Sequence, residues 1–316
     1  MFVSDLRIEA ARLTAHSDPI EQRAIAAYLG LAVGDALGAT VEFMTPSEIR
    51  AQYREHRDIR GGGWLNLRRG RVTDDTEMAL ALGRSILETG AVDARAAADA
   101  FSEWMRSKPV DIGNTVRRGI VAYRRTGSTE SPVREFDAGN GACMRCLPVA
   151  LVTLGAEVSA VDAANQRQAH VTHNNPTSDA GTLCVIQMVQ TGLLGGNRQD
   201  LKRLATALVA ANPIFAYDRK RVENPGGFIG DTLRAVFQSL FATEDLESAL
   251  IDVVNRGGDA DTTGAILGMI TGAFYGADAL PARWTRHLEP TTHHDCVSQA
   301  RNLLKRSPAY RARAVS

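Results

Sequence analysis

Glycine recurs at every fourth position, Gly264, Gly268 and Gly272, inside a mostly apolar stretch over residues 262–275. Such a stretch reads as a helix, and each glycine inside a helix costs about 1 kcal/mol relative to alanine. Three on one face need a compensating gain. Close approach of a neighbouring backbone supplies it, because no Cβ stands in the way. Small residues also punctuate Gly30-Leu31-Ala32-Val33-Gly34-Asp35-Ala36-Leu37-Gly38. The chain is therefore expected to build a helical core with tightly packed members.

The rest of the sequence follows the same period. Ile25, Tyr28, Leu29, Ala32, Val33, Ala36 and Leu37 recur at three- and four-residue steps over 21–37, and Met78, Leu80, Leu82, Ile86 and Leu87 do so further on. Further helices are expected near 92–107, 113–125, 141–154, 160–170, 178–193, 199–211, 228–241 and 245–256. Alternating strands are absent, and the breaks fall at glycine and proline, as in Gly61-Gly62-Gly63, Asn224-Pro225-Gly226-Gly227 and Gly257-Gly258. No low-complexity linker and no fixed-period repeat divides the chain. The reading is all-α: one compact globular domain over 21–316, preceded by an N-terminal extension over 1–20.

Charge and composition narrow the function. Lys+Arg and Asp+Glu each total 36, so no polyanion-binding surface is expected and nucleic acid is not a partner. No apolar run approaches the roughly 20 residues that span a bilayer, and no signal peptide is read at the start. Four cysteines in 316 residues make no disulfide framework. A cytoplasmic, reduced protein is expected. Cys143 and Cys146 have metal-pair spacing but lack a second pair, and with Cys184 and Cys296 they read as helix-core residues.

Chemistry concentrates in two acidic clusters, Thr73-Asp74-Asp75-Thr76 and Asp259-Ala260-Asp261-Thr262, each opening an apolar helix. Helix capping would explain a lone Asp-Asp-Thr. Here each cluster places more carboxylate than a cap uses, and adjacent carboxylates repel unless a cation or proton lies between them. Oxygen donors without sulfur suit a hard divalent cation such as Mg²⁺ or Mn²⁺. A two-metal site where two distant helix starts meet is the favoured reading, and it requires the chain to close into one domain.

Other polar residues have competing roles. Asp35, inside an apolar helix, reads as a buried tie to a neighbouring loop. Glu42, between Val41 and Phe43, suits an acid–base residue or a metal-linked water. Asp111 reads either as a helix N-cap or as a spare carboxylate. Asn140 marks a tight turn or a loop that admits a phosphate. His173 is expected to line a pocket, and His293-His294 to lie on the surface.

Taken in order, Gly34-Asp35-Ala36-Leu37-Gly38, Thr73-Asp74-Asp75-Thr76, Gly139-Asn140-Gly141 with Met144-Arg145, Thr172-His173 and Gly257-Gly258-Asp259-Ala260-Asp261-Thr262 resemble the motif series of the ADP-ribosylglycohydrolases. The resemblance runs from about residue 24 to 290. Pro109-Val110-Asp111-Ile112-Gly113-Asn114-Thr115 and His173-Asn174-Asn175-Pro176 look most like the dinitrogenase reductase-activating branch. Cys143 and Cys146, flanking the Met-Arg pair, depart from the family pattern.

The resemblance implies an all-α fold with a binuclear Mn²⁺ or Mg²⁺ centre. It implies Thr73, Asp74, Asp75, Asp259, Asp261 and Thr262 as ligands, with Glu42 close by. Asp111 is implied as a catalytic carboxylate, and either Asp111 or Glu42 would manage proton transfer or activate water. Asn114, Asn140, Gly141 and His173 would hold ADP-ribose. The implied activity removes ADP-ribose from an arginine of a modified protein, with dinitrogenase reductase as target and a PII-type regulatory partner if the branch holds. The alternatives are hydrolysis of a small ADP-ribose conjugate or other glycoside, and a non-catalytic ADP-ribose-binding relative.

Overall fold

The computed structural model describes residues 18–134 and 138–313. Among these the secondary structure is helical, with no strand and only two isolated bridges, Gly62 with Leu67 and Gly139 with Phe228. The first six α-helices are α1 (Pro19–Gly38), α2 (Pro46–Tyr53), α3 (Asp74–Thr89), α4 (Ala94–Arg106), α5 (Asn114–Thr126) and α6 (Leu147–Val152). Next come α7 (Val158–Ala169), α8 (Pro176–Leu193), α9 (Arg198–Ala211), α10 (Ile229–Ala242) and α11 (Leu246–Val254). The series closes with α12 (Ala260–Tyr275), α13 (Ala282–Thr285), α14 (Pro290–Leu304) and α15 (Pro308–Arg313). Most of the extension expected over residues 1–20, namely 1–17, lies outside the described residues; Asp18 caps α1 by accepting from the Ile20 N–H, with Pro19 at the first helical position.

Two helices form the axis of the fold. From Ala24 to Gly38 α1 is buried on every side, and α12 is buried from Ala260 to Ala273. Helices apolar all round belong to the interior. They run antiparallel, with Ala26, Gly30, Gly34 and Gly38 of α1 opposite Gly272, Gly268, Gly264 and Ala260 of α12. A Cβ on Gly30 would stand 2.2 Å from the Gly268 carbonyl oxygen, and one on Gly34 would stand 2.0 Å from that of Gly264. The glycines thus permit backbone-to-backbone contact, as their spacing predicts. The register has a consequence for function. Gly38 lies against Ala260, so the chain leaving α1 reaches Glu42 beside the start of α12.

The remaining helices wrap this pair. The third helix is fastened to α1 by Asp35, whose carboxylate accepts from the N–H and hydroxyl of both Thr73 and Thr76. This is the buried tie expected of Asp35. On the other side, α14 packs on α1 and α3. There the Tyr28 hydroxyl donates to Gln299 Oε1 at 2.9 Å, and Gln299 Nε2 donates to the Leu80 carbonyl at 2.8 Å.

The helix expected over 141–154 is shorter, spanning Leu147–Val152 after a series of turns. Pro148 explains this, because it is tolerated only in the first turn of a helix and cannot sit in its middle. Four helices were not read from the period: α2, α13, α14 and α15. The first has a capping box, with Thr45 and Glu48 bonding each other's backbone N–H. All four cysteines are buried and unpaired; Cys184 and Cys296 lie in helices as expected, whereas Cys143 sits in a turn and Cys146 just before α6.

Candidate metal centre and active-site cavity

The fold brings the two acidic clusters together at the floor of a cavity of about 470 Å³. Its lining includes Glu42, Asp74, Asp111, Asp259 and Asp261, with no lysine or arginine. Asn114, Asn140, Gly141, His173 and Thr262 also line it. Thr73 and Asp75 lie beneath, fully buried. The Thr73 hydroxyl stands 3.3 Å from Asp261 Oδ2, and the Thr262 hydroxyl 3.3 Å from Asp75 Oδ2. Every residue singled out in the sequence for metal, catalysis or substrate is therefore in this one place.

Capping does not account for the clusters. Thr73 and Asp259 occupy the N-cap positions of α3 and α12, yet neither side chain makes the capping hydrogen bond. Asp111 does not cap α5 either; Gly113 holds that position, and Asp111 Oδ1 accepts from the adjacent Ile112 N–H. The carboxylates instead face one another. Oxygens of Asp74, Asp75 and Asp261 lie within 4.8 Å of each other, as do oxygens of Glu42, Asp111 and Asp261. Asp261 belongs to both groups. Asp259 lies outside both triads, its Oδ2 accepting from Asn140 Nδ2 at 2.6 Å.

Burial makes this arrangement costly without a cation. It pushes Asp74 up to about 8 and Glu42 up to about 8, with neighbouring carboxylates adding to the rise. Burial likewise drives Asp75 and Asp261 well above the usual carboxylate range. Asp75 Oδ1 is buried with no hydrogen-bond partner among the described residues. An orphaned buried acceptor in a ring of oxygen donors is the environment a hard cation satisfies. The acidic residues thus form a site able to hold metal.

Backbone geometry fixes Glu42 in the ring. Gly257 and Gly258 adopt φ of 69° and 65°, and the Phe43 N–H donates to the Gly258 carbonyl at 2.7 Å. Phe43 itself has φ 61°, a conformation that costs a bulky residue energy and is held by this pairing. Trp64 Nε1 donates to Glu42 Oε2 at 2.7 Å, and its ring lies 5.2 Å from that of Phe43 at the exposed rim. Sequence reading missed Trp64; the Gly61-Gly62-Gly63 turn before it was the available signal. Thr232 was missed too, and it accepts from Asn140 Nδ2 at 3.0 Å.

On the opposite wall, the Gly139-Asn140-Gly141 loop pairs with the segment before α10: Asn140 N–H donates to Gly227 O, and Ile229 N–H to Ala138 O. The start of α5 closes the cavity, with the Gly113 N–H 3.3 Å from Asp74 Oδ2. A larger groove of about 960 Å³ runs along α3, α4 and α5. It holds none of the clustered carboxylates, and three of its arginines already donate: Arg95 to Tyr123, Arg106 to Glu103 and Arg124 to Ser102.

The family model for ADP-ribosylglycohydrolase matches residues 16–312. The chain belongs to the ADP-ribosylglycohydrolase family. It is 46% identical to the ADP-ribosyl-(dinitrogen reductase) glycohydrolase of Rhodospirillum rubrum, over 90% of this chain and 96% of the relative. It is 31% identical to an ADP-ribosylarginine hydrolase of Pseudomonas putida, over 90% of this chain and 79% of the relative. Among solved structures it resembles an ADP-ribosylglycohydrolase-related protein complex with a TM-score of 0.80 and 31% identity, covering 91% of this chain and 98% of that one. The protein is accordingly a glycohydrolase, all-α, as the motif series implies. No helix among the described residues is long and apolar enough to cross a membrane.

Proposed function

We propose that the protein hydrolyses the N-glycosidic bond between ADP-ribose and an arginine side chain of a modified protein. The observation that carries this is the pair of carboxylate triads sharing Asp261 at the floor of a cavity large enough for a nucleotide-sized ligand. The names of the relatives support the arginine linkage, and the Rhodospirillum rubrum relative supports dinitrogenase reductase as target. No relative's name bears on the PII-type partner. Four buried, unpaired thiols fit a reducing compartment, so cytoplasmic action is part of the proposal.

The residues fit two divalent cations, Mn²⁺ or Mg²⁺, held by Asp74, Asp75 and Asp261 with Thr73, Thr262 and Asp259 completing the oxygen donors. Bound there, the ions would supply Lewis-acid stabilisation and a template for ribose oxygens. The chain's own groups do the rest. Cleavage of the bond passes through an oxocarbenium-like state, which a wall of carboxylates stabilises. Asp111, half-buried in the cavity lining and pushed upward by burial, would move a proton to or from the leaving group. Glu42 is positioned by Trp64 to share that work. The Asn140 amide orients Asp259, and the glycines around it let the loop approach closely.

Release of ADP-ribose from arginine-, serine- and acetyl-linked substrates, each with Mn²⁺ and with Mg²⁺, tests the proposal. Release from the arginine linkage is expected to be fastest. Preference for a small acetyl conjugate would favour the alternative substrate class, and binding without release would favour a non-catalytic relative. Against the latter, all the acidic residues that the family motif series implies as metal ligands are present.

A further inference from the structure

Three buried polar residues behind the cavity form a chain that ends at His173. Arg145 is fully buried, its guanidinium 4.3 Å from the centre of the Phe101 ring. Its Nε donates to Gln168 Oε1 at 2.9 Å, and its Nη2 donates to the Gln168 carbonyl at 2.9 Å and to Thr172 Oγ1 at 2.8 Å. Thr172 Oγ1 lies 2.8 Å from His173 Nδ1. Both Thr172 and His173 are only 3% exposed. His173 Nε2 has no hydrogen-bond partner among the described residues. It sits beside Gly139 and Gly141, where an added Cβ would stand 2.9 Å and 3.0 Å from it.

Counting donors and acceptors settles the protonation. A guanidinium can only donate, so Thr172 Oγ1 accepts from Arg145. If His173 Nδ1 carried a hydrogen, it too would donate to Oγ1. The threonine hydrogen would then be buried with no acceptor, which costs about 1–3 kcal/mol. The hydroxyl therefore donates to Nδ1, and a neutral ring accepting at Nδ1 carries its hydrogen on Nε2. Burial, aided by the positive charges of Arg145 and Arg118, lowers His173 to about 3, so the ring is neutral. Burial lowers Arg145 only to about 9, so it stays charged near neutrality. The same cavity is lined by carboxylates, which accept when ionised, and an Nε2–H here adds a donor to it.

We propose that Arg145, acting through Thr172, is a positioning residue that holds His173 as the Nε2–H tautomer and so presents an N–H donor to an oxygen of ADP-ribose. The binding half of this inference rests on the ADP-ribose reading above; the tautomer does not. Glycine at 139 and 141 follows from the same arrangement, since a side chain at either position would strike the imidazole.

Ring ¹⁵N spectra of histidine-labelled, Mg²⁺-loaded protein, read beside ADP-ribose affinity, test it, with His173→Gln identifying the signal. Wild type is expected to show an Nε2–H ring and to bind ADP-ribose. Thr172→Val should abolish the pure Nε2–H signature and weaken ADP-ribose by roughly tenfold, and Thr172→Ser should restore both. Arg145→Met should give mixed tautomers. A wild-type ring protonated on Nδ1, or on both nitrogens at neutral pH, overturns the relay. So does a Thr172→Val protein with an unchanged ring signature. An altered ring with unchanged ADP-ribose affinity overturns the donor role. If wild type itself fails to bind ADP-ribose, the functional reading falls while the tautomer result stands.

Discussion

The two acidic clusters look alike in sequence but are held in place by different physics. The second cluster opens α12, whose position is set by backbone contact: Gly264, Gly268 and Gly272 pressed against Gly34, Gly30 and Ala26. The first opens α3, whose start is set by polar bonds to a single side chain, Asp35. One anchor belongs to the core and cannot yield without disturbing the fold. The other is local and can be loosened while the core persists. The proposed metal site needs both, because Asp74 and Asp75 come from one helix and Asp261 from the other.

The contrast can be broken at the core first. Gly268→Val would drive a side chain into the Gly30 carbonyl, with its Cβ 2.0 Å from that oxygen. A loss of at least about 3 kcal/mol is expected for such overpacking, read by urea or thermal unfolding. A folded protein of wild-type stability would show that α1 and α12 do not meet as described.

Loosening the polar anchor should separate stability from metal binding. Asp35→Asn puts an amide where four donors point and should cost about 1–3 kcal/mol, leaving a folded protein. Because Asp35 orients the segment that carries the proposed ligands, metal affinity should drop about 10- to 100-fold, measured by calorimetry. Unchanged affinity would mean that α3 is placed by packing alone. Asp261→Asn makes the complementary case. It removes the carboxylate common to both triads, so bound metal should be lost in elemental analysis. In chelator its stability should match or exceed wild type, since a buried like charge has been removed.

Trp64→Phe is a smaller change at the rim. It keeps an aromatic ring near Phe43 but deletes the hydrogen bond to Glu42, and kcat/KM should fall about tenfold with little change in Tm. The smallest effect concerns a partly buried pair outside the cavity lining. The bond to Asp179, 2.9 Å from His170 Nε2, raises His170 above its usual value. A raised histidine stabilises the fold at pH below its unfolded value near 6.5, and the gain is lost as pH rises through the folded value. Asp179→Asn should abolish about 0.5 kcal/mol of that dependence, seen as a flatter Tm against pH between 5 and 8.

The core anchor was legible in the sequence because glycine inside a helix is costly and its spacing names a face. The residues that share the cavity were legible through charge crowding and motif order. What escaped has equally definite causes. Pro148 forbids one helix over 141–154, yet the apolar period runs on across it. The α14 helix begins at Pro290 and buries Thr292, Cys296 and Gln299, a stripe polar enough to hide its period. Trp64 reaches Glu42 across 22 residues, and Thr232 reaches Asn140 across 92, so no local pattern announces either contact. The partner of Asp35 was expected to be a loop; it is the start of α3.

The most direct measurement is release of ADP-ribose from an arginine-modified protein by wild type and by Asp261→Ala, each with added Mn²⁺ or Mg²⁺ and each in excess chelator. Release by wild type with metal, its loss in chelator, and its absence from the variant under both conditions are predicted. Equal release in chelator, or full activity of the variant, would contradict a metal centre built from the two clusters.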